Sequence, residues 1–367
     1  MTVELLERET RADARAGVID CDIHPNPKGP HGVLPYLPAR WQEHLKTFGS
    51  QYRQPFASSL PYPRFGDGNR LDTKAPDGGY GGSDLAFMQQ QHLDGRGIAH
   101  GILQPLSPNA QSQRNLAYAA ALSHAVNEWQ AEAWCDPEPR LRASLVVPQE
   151  DPEASARMIE ARAGDRRFVQ VALCPRAFEP LGRKRYWPIF DAAVDAGLPI
   201  GLHVGGFNGH TNTGSGWSSF YLEDHHTNTE SMMALVTSLV AEGVFEAFPT
   251  LKIVLIEGGF VWLPSLMWRM DKHWKTLKAE MPHLRRAPSE YVRQHFWFTT
   301  QPIDEPQKPQ HMRETIDWIG WDKILFSTDY PHWDYDDPAT ALAKIRMSAD
   351  EREGVMRGNA ARLYGLG

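Results

Sequence analysis

VIDCDIHP, residues 18–25, decides the fold. A short apolar run carries acids and a histidine towards its end and breaks at Pro25, which reads as a buried parallel strand entering a loop. The same construction returns in PIGLHVGG (199–206), KIVLIEGG (252–259) and ILFSTDYP (324–331). Asp22, His24, His203, Glu257 and Asp329 therefore stand at successive strand ends. In a parallel barrel those ends surround one mouth, so residues far apart in sequence can converge on one ion. Carboxylate and imidazole donors without cysteine suit zinc, iron or manganese, and a catalytic site keeps one position open for water or substrate.

Working outward, strand-like runs recur at 17–22, 99–105, 142–148, 168–174, 198–204, 252–257, 296–300 and 323–328. Between them lie helix-period apolar positions, such as Leu116, Ala119, Leu122, Val126 and Trp129, or Met233, Val236, Leu239 and Val240. Alternating strands and helices mean a parallel sheet, and eight strands is the count of a (β/α)8 TIM barrel. A doubly wound open sheet has the same alternation, but the first strand lacks the GxGxxG of a dinucleotide crevice. One domain over 1–367 is expected. Residues 25–93, rich in Pro, Gly and aromatics, break the rhythm and are expected to form a lid over the mouth, as is the stretch 205–230 after the fifth strand.

Forty-one per cent hydrophobic residues and twelve tryptophans mark a folded globule. A net charge of -7 without a Lys/Arg run gives no footprint for nucleic acid or an anionic membrane, so a small-molecule substrate is expected. Cys21, Cys135 and Cys174 show no CxxC spacing and read as small core residues. No apolar stretch is long enough to span a bilayer, and a cytoplasmic location is the simplest expectation.

Each candidate has a plain alternative. Asp22 and His24, two apart on a strand, share a face, yet a capping Asp and a core His would look the same. His203 alone could be a satisfied core histidine. Asp329 ends so apolar a run that a bare carboxylate would be costly there without a cation or donors. Glu257 could be a metal ligand, a general base, or a carboxylate held by an arginine or a helix N-terminus. His225 and His226 lie in a polar segment, where one of the pair can serve as acid, base or ligand, or both can be solvated. Arg53, Trp217 and His332 are the candidates for substrate contact, with a bidentate carboxylate anchor the role for the arginine.

Together DCDIH, GLHVGG, EGVFEAFPTLKIVLIEGGFVWLP, ILFSTDYPH and the terminal GNAARLYGL resemble the amidohydrolase superfamily, in the branch of aminocarboxymuconate-semialdehyde decarboxylase and γ-resorcylate decarboxylase. The resemblance implies a metal-dependent TIM barrel with ligands at Asp22, His24, His203 and Asp329, and a homodimer. One position departs from it. Glu257 stands where the decarboxylases usually carry a histidine, which opens a role for it as base or as ligand to a second metal.

That departure makes hydrolysis the first expectation. One or two divalent metals per chain, zinc first and iron or manganese next, would generate hydroxide. Asp329 or Glu257 would take the proton, and His225 or His226 would protonate the leaving group of an amide, ester, lactone or thioester. The alternative is metal-dependent, non-oxidative decarboxylation of an aromatic or enoic acid. A non-catalytic binding barrel comes last, because none of the four ligand positions has turned apolar.

Overall fold

The computed structural model describes residues 17–29, 32–49, 68–111, 113–205 and 214–366. Eight parallel strands run in sequence order: β1 Val18–Ile23, β2 Ile98–Leu103, β3 Leu141–Val146, β4 Phe168–Leu173, β5 Ile200–His203, β6 Ile253–Ile256, β7 Phe296–Thr299 and β8 Ile324–Leu325. All eight fall within the expected runs or a residue of them. The sheet closes on itself rather than staying open. Cys21 N–H donates to Phe326 O (3.0 Å), His24 N–H donates to Tyr330 O (2.7 Å), and Ile23 bridges Tyr330 in parallel. The fold is a (β/α)8 TIM barrel.

β8 is shorter than the run 323–328 because side chains replace its ladder. Ser327 N–H donates to Thr300 Oγ1, Gln301 N–H donates to Ser327 Oγ, and Thr328 N–H donates to Asp20 Oδ1. Local side-chain bonds of this kind compete with regular pairing. They also leave the backbone after Leu325 free to turn Asp329 towards the mouth.

Two apolar layers hold the barrel. Ile19, Cys21, Ile102, Val169, Val254, Ile256 and Leu325 form one cluster with Leu363 and Tyr364 of the C-terminal helix Asn359–Tyr364. Tyr364 donates its hydroxyl to Gln170 Oε1 (2.9 Å), and Gln170 donates to Ser144 Oγ (3.0 Å). Gly201 of β5 is required there, since a Cβ would stand 2.6 Å from the Gln170 amide carbon.

The second layer packs helices outside. Here α1 (Ala39–Phe48) packs only the half-buried Trp41 and Leu45 against the core, whereas in α2 (Leu116–Gln130) and the later helices apolar faces turn inwards. Ala119, Leu122, Val126 and Trp129 of α2 are buried as their spacing predicts, while Leu116 in the first turn is exposed. Asn115 caps that helix by accepting Tyr118 N–H. The three cysteines are buried and unpaired, and burial pushes Cys135 and Cys174 up to about 12, as befits core residues.

Of the segment expected as a lid, the described parts carry helices: Leu34–Tyr36, α1, Leu71–Thr73, Leu85–Met88 and Gln89–Asp94. Its centre lies outside the described residues. No helix among those described is long and apolar enough to cross a membrane.

Candidate active site

Strand ends bring the predicted residues together. Asp22, His24, His203 and Glu257 are buried, and each offers one ligand atom such that all four lie within 4.8 Å of one another. His24 Nε2 stands 3.3 Å from Asp22 Oδ1 and 2.6 Å from Asp329 Oδ1. His203 Nε2 stands 2.9 Å from Glu257 Oε2 and 3.7 Å from Asp22 Oδ2.

These atoms are close without being bonded to one another. Both oxygens of Asp22 and the Nε2 atoms of His24 and His203 are buried with no hydrogen-bond partner, a costly arrangement for protein groups alone. The other ring nitrogen of each histidine is engaged, His24 Nδ1 with Gln104 O and His203 Nδ1 with Val204 O, both at 2.8 Å. With Nδ1–H as donor, each Nε2 presents a lone pair to the shared space, the orientation usual for a metal ligand. Donor atoms bound at about 2.1 Å to one ion stand roughly 3–4 Å apart, and the separations here, 2.6–3.7 Å, fall within that range or just short of it. The residues fit a divalent metal.

Charge leads to the same conclusion. Burial pushes Asp22 and Asp329 well above the usual carboxylate range, and repulsion by Glu257 adds to both. Burial would raise Glu257 too, but the approach of His203 and His225 holds it below its ordinary value. His203 is lifted to about 9 by Asp22 and Glu257 against its burial, and His225 to about 10 by Asp334 and Glu257. Burial, with His332 and His203 nearby, lowers His24. Protons on two histidines thus supply the positive charge that the carboxylates demand; a bound cation would supply it at His203, whose Nε2 faces the cluster, while His225 keeps its pairing with Asp334.

Around this centre the structure sorts the remaining candidates. His225, on the short helix Tyr221–His226, reaches Asp334 Oδ2 (3.3 Å) and Glu257 Oε1 (3.7 Å). Adjacent helical residues diverge by about 100°, and His226 is exposed and is not among the described residues that line the cavity. His332 belongs to the centre: its Nδ1 lies 2.6 Å from Asp329 Oδ1 and its ring stacks on His24 at 4.4 Å. Trp217 is exposed and is not among the described residues that line the cavity, whereas Trp333 lines it. Arg53 lies outside the described residues.

Two functional residues escape the sequence reading. Gln301, just beyond β7, donates from Nε2 to Asp329 Oδ2 (3.2 Å) and Asp334 Oδ2 (3.0 Å). Asp334 in turn anchors His225. Gln301 follows an apolar strand and precedes a proline, the same signal that marks the other strand ends. A cavity of about 770 Å³ opens over the site, with His203, Glu257, His225 and His332 in its wall.

The family model described as Amidohydrolase matches residues 19–366. A γ-resorcylate decarboxylase from Polaromonas sp. (strain JS666 / ATCC BAA-500) is 27% identical over 300 residues, covering 77% of this chain and 88% of that protein. Among solved structures, 2,6-dihydroxybenzoate decarboxylase from Rhizobium superposes with a TM-score of 0.67 at 21% identity, covering 95% of this chain and 99% of the other. The 5-carboxyvanillate decarboxylase of Novosphingobium aromaticivorans DSM 12444, complexed with manganese and 4-hydroxy-3-methoxy-5-nitrobenzoic acid, gives 0.71 at 20% identity, with 95% and 96% covered.

These relatives correct the expectation of hydrolysis. Decarboxylases match along most of the chain, and the single exchange at Glu257 that favoured a hydrolase does not outweigh them.

Proposed function

The chain belongs to the amidohydrolase family, and from that premise we propose that it is a metal-dependent, non-oxidative decarboxylase of an aromatic or enoic acid. The observation that carries this reading is the convergence of unpartnered donor atoms from Asp22, His24 and His203 beneath a cavity, in a chain whose curated relatives are decarboxylases. Asp22, His24 and His203, with Asp329 and Glu257 beside them, would hold the cation. Hard oxygen donors beside two imidazoles suit manganese at least as well as zinc, and the manganese in the 5-carboxyvanillate enzyme supports that choice. When bound, the cation supplies a fixed positive charge for the substrate carboxylate and a neighbouring oxygen.

The chain's own residues supply the rest. His225, lifted to about 10, carries a proton at neutral pH and lines the cavity. It delivers that proton to the substrate carbon that bears the carboxylate. The bond to the carboxyl carbon then breaks, carbon dioxide leaves, and the electron pair stays on the substrate. Asp334 and Glu257 hold the imidazole in place throughout, and Gln301 fixes Asp334. The partly exposed His225 regains its proton from solvent at the mouth. A protonated His225 occupies the position a second cation would need, so one metal per chain is expected. A homodimer remains the proposed assembly, to be measured by light scattering.

The test uses manganese-loaded protein with 2,6-dihydroxybenzoate and 5-carboxyvanillate, following carbon dioxide release. Stoichiometric release from either supports the reading. Absence of carbon dioxide from both, in protein carrying one manganese per chain, sinks it.

A further inference from the structure

The cavity is larger than the chemistry at its floor requires. An enclosed space of about 150 Å³ suffices for one benzene ring, whereas this cavity measures about 770 Å³, within the range of roughly 300–1,000 Å³ typical of sites for drug-sized ligands. Its wall includes apolar residues that are not part of the metal cluster. The 3-10 turn Leu34–Tyr36 and helix α1 place Leu34, Leu37 and Leu45 in the cavity wall, and α2 places Tyr118 and Leu122 there. Leu106, just beyond β2, lines with this apolar arm the same cavity as His203 and Glu257.

The two ends therefore differ in chemistry while sharing one space. The floor offers imidazole and carboxylate groups, and the arm offers aliphatic carbon and one aromatic ring. A single-ring acid seated over His203 would leave Leu34 and Leu45, the half-buried leucines of the arm, without an apolar partner on the cavity side. From this, and resting on the decarboxylase reading, we infer that the substrate is an amphiphilic acid: a carboxylate-bearing ring at the metal cluster with an apolar extension several carbons long running between α1 and α2.

Continuity favours such a tail over an independent ligand. Among the described residues, arm and floor line one cavity, so one molecule can bury its head and its tail together. Each buried methylene is worth about fourfold in affinity, and ordering the chain takes back part of that gain.

Isothermal titration of manganese-loaded full-length protein with salicylate and with 5-pentylsalicylate tests the inference. On a ring whose carboxylate and hydroxyl face the metal, position 5 points away from it. The pentyl compound is expected to bind at least about tenfold more tightly. In Leu45→Gln, which places an amide in the half-buried arm, the ratio of the two dissociation constants is expected to fall towards one; Leu34→Asn gives the same readout should the first variant fold poorly. Equal affinity of both acids for the parent protein, or a ratio untouched by both variants, overturns the inference and leaves the decarboxylase reading standing. Failure of both acids to bind in a manganese-dependent way overturns the two together.

Discussion

Glu257 and Asp329 share a backbone conformation that no other described non-glycine residue adopts: φ is 58° at the first and 63° at the second. Glu257 directly follows β6 and Asp329 comes shortly after β8, and their carboxylates join two groups that share His24. The left-handed region disfavours residues with a Cβ by about 1–2 kcal/mol. Two such positions in one site mark a place where side-chain chemistry outranks backbone preference.

That conformation makes an unusual order of stabilities. Alanine normally exceeds glycine by roughly 0.5–1 kcal/mol within regular structure. At Glu257, both substitutions remove the carboxylate, but only glycine relieves the backbone. Glu257→Gly is expected to be more stable than Glu257→Ala by about 1 kcal/mol in urea unfolding. Equal midpoints, or the ordinary order, would show that the positive φ carries no cost here.

Metal retention separates the ligands from their supports. His24→Ala and His203→Ala each remove a nitrogen whose lone pair faces the cluster, and bound manganese is expected to weaken at least about tenfold on the scale seen for disturbed metal sites. Asp334→Asn lies one shell out, beside His225 and Gln301, and is expected to keep one manganese per chain by elemental analysis. Loss of metal from Asp334→Asn with retention in His203→Ala would invert the assignment.

The histidine pair gives a sharper contrast. His225→Gln removes the proposed proton donor and is expected to lower kcat by about 10²–10⁴ while manganese stays bound. His226→Gln alters an exposed side chain that is not among the described residues lining the cavity and is expected to leave kcat within about twofold, as surface substitutions do. Similar losses in both would mean that the helix is needed only as a unit.

How far the sequence carries these assignments depends on what each signal reports. A polar residue ending a buried strand is expensive unless it has a function, so Asp22, His203, Glu257 and Asp329 were visible, and the eight strands with them. Side-chain direction beyond the strands was not. Asp20 and Asp22 are two apart, yet Asp20 turns to His92 (2.8 Å) and Thr328 while Asp22 turns to the cluster. A register irregularity between Asp20 and Ile23 separates them, and period-2 alternation alone misses it. Likewise Asp334 sits in an acidic run with Asp336, which accepts Ile303 N–H, and Asp337, which pairs with Arg96. Only the folded turn selects which of the three reaches His225. The reaction class is hard to read for a different reason: the one exchanged residue at Glu257 points to hydrolysis, while the chain as a whole matches decarboxylases.

Stability against acid is set in part far from the site, at Glu138. Hydrogen bonds from Arg140, then from Gln89, hold this buried carboxyl down to about 2, against an ordinary value of 4.5. A depressed carboxylate stabilises the fold fully above its unfolded value, and the contribution fades as pH falls from about 4.5 towards 2. Arg140 also reaches Asp94 and is itself partly exposed, so solvent screening limits the pair to about 1 kcal/mol. Glu138→Gln is therefore expected to unfold at lower urea than the parent at pH 7 and to converge with it as the pH drops through that window. A gap between the two that stays constant from neutral pH down to the acid limit would mean that Glu138 acts through packing and shape, with its charge irrelevant.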